Sequence, residues 1–493
     1  MRTAKQTLQS VPIMLFILIV IILGLLSLIL VNRRKNNRRI NEYLKDIPGP
    51  SPLPIVGNSI GASTYSKGVL RYFIDNVKKY GKTSLFWIGS NPYVFITDPK
   101  DVEILLKDTK NIRKSRTYDF LVPWLGGGLV TSTGDHWRVH RKIIRPSFNL
   151  NMLEKFVQVF NDCSDDMLEN LTSKSDGERF DVFPIIVRHT LDVITETSMG
   201  LQMRIQRQEK SPYLTALESV KKISFTRVWN SLLHPDWIFD NMAIGKEFKR
   251  NLEMINDHCM KVIKEKQTIG LNDKSFLDIL LSENQGEFSI KDILDEVNTF
   301  MFAGHDTTST AIAFILHCLS LHADVQKKLY EEIEANFGAE VGTLTYRDLQ
   351  STVYLDRVIK ESMRLFPPVA SISRVLDYDL ELTNATLPAG CYVECFIYML
   401  HRNSKIYPDP EVFNPDRVDA EDQHHAAFAA FSAGLRNCIG QKYAMLEIKS
   451  TLIKILQRFE IYGGETISNL QNYVVLTAPD GIWMKMKPRR ITS

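Results

Sequence analysis

The stretch "AAFSAGLRNCIGQKYA", Ala429 to Ala444, places one thiol, Cys438, between Gly434 and Gly440. Arg436 stands two residues before it, and an apolar pattern spaced for a helix begins right after. The glycines permit a tight turn and a close approach of backbone to something bulky. Arg436 offers a permanent positive charge suited to a carboxylate. At the mouth of a helix, free N–H groups and the helix dipole favour a thiolate. The residues alone leave three roles open for Cys438: nucleophile, single metal ligand, or inert buried thiol.

The chain around this stretch has 493 residues, enough for one large domain or two ordinary ones, and its 44% apolar and 24% charged content is that of a globular protein. A net charge of +3, mixed in sign along the chain, does not suggest nucleic acid as a partner. The six cysteines are scattered and include no C-x-x-C pair, and the cytosolic topology that the N-terminus implies argues against a disulfide framework. "VPIMLFILIVIILGLLSLILV" (Val11–Val31) carries no charge and is long enough for a membrane-spanning helix. Arg33, Arg34, Lys35, Arg38 and Arg39 follow it, so the positive-inside rule puts the C-terminal bulk on the cytosolic side. With that topology the sequons at Asn170 and Asn384 stay bare. The expected organisation is a short lumenal N-terminus (1–10), a membrane anchor (11–31), a basic and proline-rich linker (32–54) and one catalytic domain (55–493). "IPGPSPLP" (Ile47–Pro54) reads as a stiff, extended connector.

Helical periodicity dominates the domain. Apolar residues recur three and four apart in residues 151–172, 180–200 and 247–267. The longest candidate helix starts at Ser289, with Ser289 and Asp292 as a capping box, and runs to about Leu321. Strand-like pieces are short: "TSLFWIG" and "PYVFITD" near the start and "ELTNATLPAGCYVECFIY" later. The fold class expected is mainly α with a small, largely N-terminal sheet. The triple glycine Gly126–Gly128 reads as a flexible loop. No nucleotide-binding glycine motif occurs, and neither H-E-x-x-H nor G-x-S-x-G is present. His424-His425 reads as solvated loop.

"FSAGLRNCIG" resembles the F-x-x-G-x-R-x-C-x-G haem loop of the cytochrome P450 monooxygenases at Phe431, Gly434, Arg436, Cys438 and Gly440. Further stretches match in the family's order. "ESMR" sets Glu361 and Arg364 on one helical face ahead of "LFPPV", and "FNPDRV" supplies Arg417; the resemblance makes these three a buried structural network. "GDHWRVHRK" gives Trp137 and Arg141 helical i, i+4 spacing, and the resemblance has both contact a haem propionate, with Arg374 a further candidate for that contact. "FMFAGHDTTS" puts Asp306 and Thr307 in the long helix, where the resemblance has Thr307 hold dioxygen and a water while Asp306 relays protons inward.

The resemblance runs from Pro48 to the C-terminus and is most similar to the microsomal family 4 branch, particularly its insect members. It implies the cytochrome P450 fold, haem b with the Cys438 thiolate as axial ligand, and insertion of one atom of O2 into a lipophilic substrate such as a fatty acid, steroid, pheromone or xenobiotic. Electrons would come from NADPH through cytochrome P450 reductase, with cytochrome b5 as a second candidate donor, at the endoplasmic reticulum membrane. Arg138, Lys142 and Lys442 could present a basic surface to such a partner. Ala303 stands where many relatives carry a glutamate that forms an ester with a haem methyl, so that covalent link is not expected here. Leu435 replaces a common proline and Val418 a usual phenylalanine. Two rivals are a haem-thiolate isomerase or dehydratase working on lipid peroxides without external electrons, and a non-catalytic haem or lipid binder.

Overall fold

The computed structural model describes residues 38–271, 275–283, 288–338, 342–417 and 426–489. The segment expected to cross the membrane, His424-His425 and Val418 lie outside these ranges. Among the described residues no single helix is long and apolar enough to cross a membrane.

The architecture is mostly helical, organised around one long central helix. The elements that position the site are β1 (Thr83–Ile88), β2 (Asn91–Ile96), α1 (Gly134–Ile144), α2 (Leu150–Thr172), α3 (Phe183–Ile194), α4 (Pro212–Trp229), α5 (Ala243–Ile269), α6 (Ile290–Leu321), α7 (Val353–Leu365), β3 (Ile372–Val375), β4 (Tyr392–Cys395) and α8 (Gln441–Arg458). Ser289 and Asp292 cap α6 reciprocally, each satisfying a backbone N–H of the other. The run Ile312–Leu316 is wholly buried, so α6 is a core helix for half its length. It packs on α3 where Gly304 faces Ile194; a Cβ at Gly304 would come within 2.4 Å of that side chain. The pattern at 180–200 yields α3 followed by one π-helical turn (Thr195–Met199), which ends at Gly200 with φ 69°.

Two expectations need correction. The main sheet has the order β1-β2-β4-β3, so half its strands come from residues 372–395 and the sheet is not largely N-terminal. β2 pairs with β4 in parallel across almost 300 residues, a closure that no local pattern announces. Gly126–Gly128 is not a flexible loop but a tight seam against α6. A Cβ at Gly126 would lie 2.0 Å from the Asp295 carboxyl carbon, and one at Gly128 2.1 Å from Thr299 Oγ1. The Gly127 N–H donates to Asp295 at 2.8 Å.

The stretch read as linker is partly folded. Arg38–Leu44 forms a short helix that buries Leu44, and Leu85 N–H donates to the Pro48 carbonyl at 2.9 Å. These contacts fix where the chain enters the domain.

Candidate active site

A cavity of about 400 Å³ lies between α6 and the loop that leads into α8. Cys438, Phe431, Arg436 and Gly440 line it from the loop, Thr307 and Ala303 from α6, and Trp137 and Arg141 from α1. Much of the remaining wall is apolar, including Leu121, Phe225, Val228, Phe302, Ile397 and Val475.

The loop is held by local backbone contacts: Cys438 N–H donates to the Phe431 carbonyl at 2.9 Å. The two motif glycines do different jobs. Gly434 has φ 67°, and a Cβ there would sit 2.0 Å from the Leu106 carbonyl oxygen, so it packs against protein rather than forming the cavity wall. Gly440, on the wall, would meet no protein atom within 4 Å. Its missing side chain leaves room for a bound group. Of the six cysteines only Cys438 is exposed, and it faces this cavity. Depth in the protein pushes its thiol up, while the Gly440 N–H and the Arg141 charge act in the opposite direction.

Positive charge gathers along one side. Arg436 and Arg141 lie over the Trp137 ring, 4.1 and 5.5 Å from its centroid. Arg436 donates to the carbonyls of Ile112, Leu129 and Ser132, and burial together with Arg374 pulls it down to about 9. Arg374 is buried behind the wall, not in it, with its own Ser373 carbonyl as acceptor. Lys114, which the sequence reading passed over, lines the cavity beside them, and burial lowers it well below an ordinary lysine. The one carboxylate in this wall, Glu394, is pushed up to about 7 by burial. Guanidiniums that find only carbonyls, together with a lysine driven toward neutrality, mark a place built for an external anion. This charge cluster, the space at Gly440 and the accessible thiol fit a flat, dianionic macrocycle carrying a metal that takes a thiolate.

Glu361, Arg364 and Arg417 meet on the far side of this loop. Arg364 grips Glu361 with two donors at 2.8 and 2.9 Å, and Arg417 Nε reaches the same carboxylate at 3.0 Å. The spare guanidinium donors go to carbonyls of His401, Pro408, Asp409, Pro410 and Val412. His401 extends the network: its Nε2 accepts the Ala429 N–H at 2.9 Å, at the start of the stretch carrying Cys438. That role requires a neutral ring, and burial lowers His401 to about 3.

On α6, Thr307 Oγ1 donates back to the Ala303 carbonyl at 2.9 Å, leaving its lone pairs toward the cavity. Asp306 is not in the wall. It is buried, and its Oδ1 accepts from Lys221 Nζ at 2.8 Å while Oδ2 has no partner among the described residues. Lys221 on α4 also pairs with Glu218 at 2.7 Å, and Glu218 is 42% exposed. Burial would pull Lys221 down, but the two carboxylates outweigh it and hold it above an ordinary lysine. Lys221 was legible in one respect: it shares a helical face with the buried Leu217, Ser224 and Val228, where a charge is out of place.

The comparisons agree with this geometry. The cytochrome P450 family model matches residues 47–486. Similar curated proteins include "Probable cytochrome P450 4s3" of Drosophila melanogaster, 37% identical over 448 residues (86% of this chain, 88% of the relative). "Cytochrome P450 4d2" of the same organism is 37% identical over 473 residues (90% and 94%), and human "Cytochrome P450 4V2" 34% identical over 492 residues (94% and 94%). A haem-thiolate monooxygenase is the class that fold, cavity and thiol define. The chain belongs to the cytochrome P450 family, with family 4 members among its relatives. It is an oxidoreductase whose cofactor is haem with a cysteine thiolate ligand.

Proposed function

We propose that this chain is a membrane-anchored monooxygenase that oxidises a lipophilic small molecule with electrons from NADPH–cytochrome P450 reductase, and that Cys438, Thr307 and Asp306 are its working groups. The observation that carries this reading is the single cavity that exposes the Cys438 thiol on one side and the Thr307 hydroxyl on another, within a largely apolar wall. Haem, when bound, supplies the iron at which O2 is reduced and split between substrate and water.

The chain's own groups do the rest. Cys438 provides the thiolate. Trp137, Arg141, Arg436 and Lys114 offer donors and charge to the propionates, with Arg374 behind them. Glu361, Arg364 and Arg417 keep the loop rigid through His401. Thr307, its proton committed to Ala303, accepts a hydrogen bond at the cavity and orients a water there. Asp306 relays protons from Glu218 by way of the Lys221 contact. Ala303 lines the cavity without a carboxyl, so the cofactor is held non-covalently from this position, and strict selectivity for a chain terminus is not expected.

The apolar span 11–31 supports an endoplasmic reticulum anchor. Leu232, Trp237 and Met242 are exposed in the connection between α4 and α5, with Trp237 at 74%, and suit a membrane surface. Lys142 and Lys442 are exposed on the elements that carry Trp137 and follow Cys438, and suit an acidic donor, the reductase or cytochrome b5.

The test uses the full-length protein with reductase. The reduced carbon monoxide complex should give the red-shifted Soret band of a thiolate ligand, and Cys438→Ser should abolish it. Lipophilic compounds should be oxidised only with NADPH and reductase present. Turnover of lipid peroxides without either would replace this reading by the isomerase or dehydratase one.

A further inference from the structure

Behind the cavity, α1 and α6 bring together a cluster that the chemistry above does not use. His136 and His140 stand four apart on α1, next to the face that presents Trp137 and Arg141 to the cavity. Their ring centroids are 3.9 Å apart. One ring nitrogen from each, and one carboxylate oxygen of Asp292 in the first turn of α6, all lie within 4.8 Å of one another. His140 is buried, Asp292 half-buried and His136 exposed, so the group is anchored inside and open on one side.

One nitrogen of each ring is already held, which leaves the opposite nitrogen as the ligand atom. His140 Nδ1 contacts Glu296 Oε1 at 2.6 Å, and Glu296 is fully buried with its second oxygen accepting the Leu129 N–H at 3.1 Å. His136 Nε2 contacts the Gly127 carbonyl at 2.9 Å. Since a carbonyl only accepts, His136 carries its proton on Nε2 and a lone pair on Nδ1. Donation from His140 Nδ1 to the carboxylate leaves its lone pair on Nε2. A carboxylate behind one imidazole and a backbone carbonyl behind the other are the contacts that orient metal-bound histidines and raise their basicity. The glycine seam fixes the carbonyl in place, because Gly127 N–H is bound to Asp295.

We propose that His136, His140 and Asp292 bind a divalent ion of the zinc class, with solvent completing the coordination. Two imidazoles and a carboxylate suit zinc and its neighbours, whereas magnesium and calcium prefer oxygen throughout. Donors spread over 4.8 Å place an equidistant centre about 2.8 Å away, so ring rotations of under about 1 Å reach zinc distances. Bound metal pins α1, and with it Trp137 and Arg141, to the start of α6.

The haem-loaded full-length protein, stripped with chelator, is dialysed against zinc chloride with excess magnesium, and zinc is then counted against haem iron. One zinc per haem is expected, with affinity at least about tenfold weaker in His136→Gln, an exposed change that leaves the haem spectrum intact. Zinc should raise the melting temperature of the parent and not of this variant. Failure to retain zinc overturns the proposal, as do equal binding in parent and His136→Gln and zinc loss only in a His424→Gln/His425→Gln variant. None of these readouts depends on turnover, so they stand apart from the fate of the monooxygenase reading.

Discussion

Two buried ionic groups flank the cavity, and they are built on opposite terms. Around Glu361 nearly every capacity is used: two guanidiniums and the Asn414 N–H bind its carboxylate, and backbone carbonyls take the remaining guanidinium donors. Around Asp306 one oxygen is buried with no partner among the described residues, and the lysine that holds the other oxygen also touches an exposed glutamate. Saturation gives a rigid frame, because any movement breaks several charge-assisted bonds at once. An unfilled acceptor next to a solvent-linked ion pair gives a group able to exchange a proton. Under the proposed function the same chemistry, carboxylate with cation, would serve as a frame in one place and a relay in the other.

The most direct way to break this contrast is to remove the frame's centre. Glu361→Gln keeps the shape but leaves two guanidiniums without a counter-charge, and should cost about 3–5 kcal/mol of stability. Urea unfolding and haem retention read the effect; unchanged values would make the network incidental. Glu394 offers an intermediate case, a buried carboxylate near Arg374 and Lys114 with no ion pair among the described residues to saturate it. Burial raises it from 4.5 to about 7, so the unfolded chain ionises first as pH rises. Stability present below about pH 4.5 is therefore lost up to about pH 7, a total of about 3 kcal/mol. Glu394→Gln should flatten that slope, measured as the difference between variant and parent unfolding from pH 5 to 8.

How far these groups could be read from the sequence follows from how local they are. Glu361 and Arg364 lie one helical turn apart, and the Cys438 loop is contiguous, so spacing exposes both. The capping box at Ser289 and the length of α6 are equally local. Arg417 is 53 residues from Arg364 and was reached only through the family resemblance. His401, Lys114 and Lys221 owe their positions to tertiary closure, and no spacing links Lys221 to an aspartate 85 residues on. The same holds for the sheet, half of which arrives late, and for Gly126–Gly128, whose need for glycine comes from Asp295 and Thr299 on another element.

Asp306→Asn sharpens the relay side of the comparison. Glu218 remains as a counter-charge for Lys221 and the amide oxygen can still accept from it, so the fold should persist, while the ability to carry a proton is gone. Product formation should fall by about 10²-fold, with NADPH consumption falling less than product. Equal turnover by the variant would assign Asp306 to the frame.

The smallest effect is expected at the outer end of the relay. Glu218 is 42% exposed, and solvent screens its pairing with Lys221, so Glu218→Gln should change stability by under about 1 kcal/mol. Under the proposed relay its contribution would be kinetic, linking bulk water to a lysine that is itself buried. The variant should lower turnover by only about two- to fivefold, because water can reach Lys221 once the carboxylate is gone. Measured against Asp306→Asn, this gradient is what separates a relay from a frame. In a frame the loss tracks burial and appears as stability, whereas in a relay it tracks distance from the reacting end and appears as rate. A Glu218→Gln enzyme as slow as Asp306→Asn would mean that protons have a single entrance at Glu218. One with parental turnover would place the entrance elsewhere and leave Lys221 as the counter-ion of Asp306.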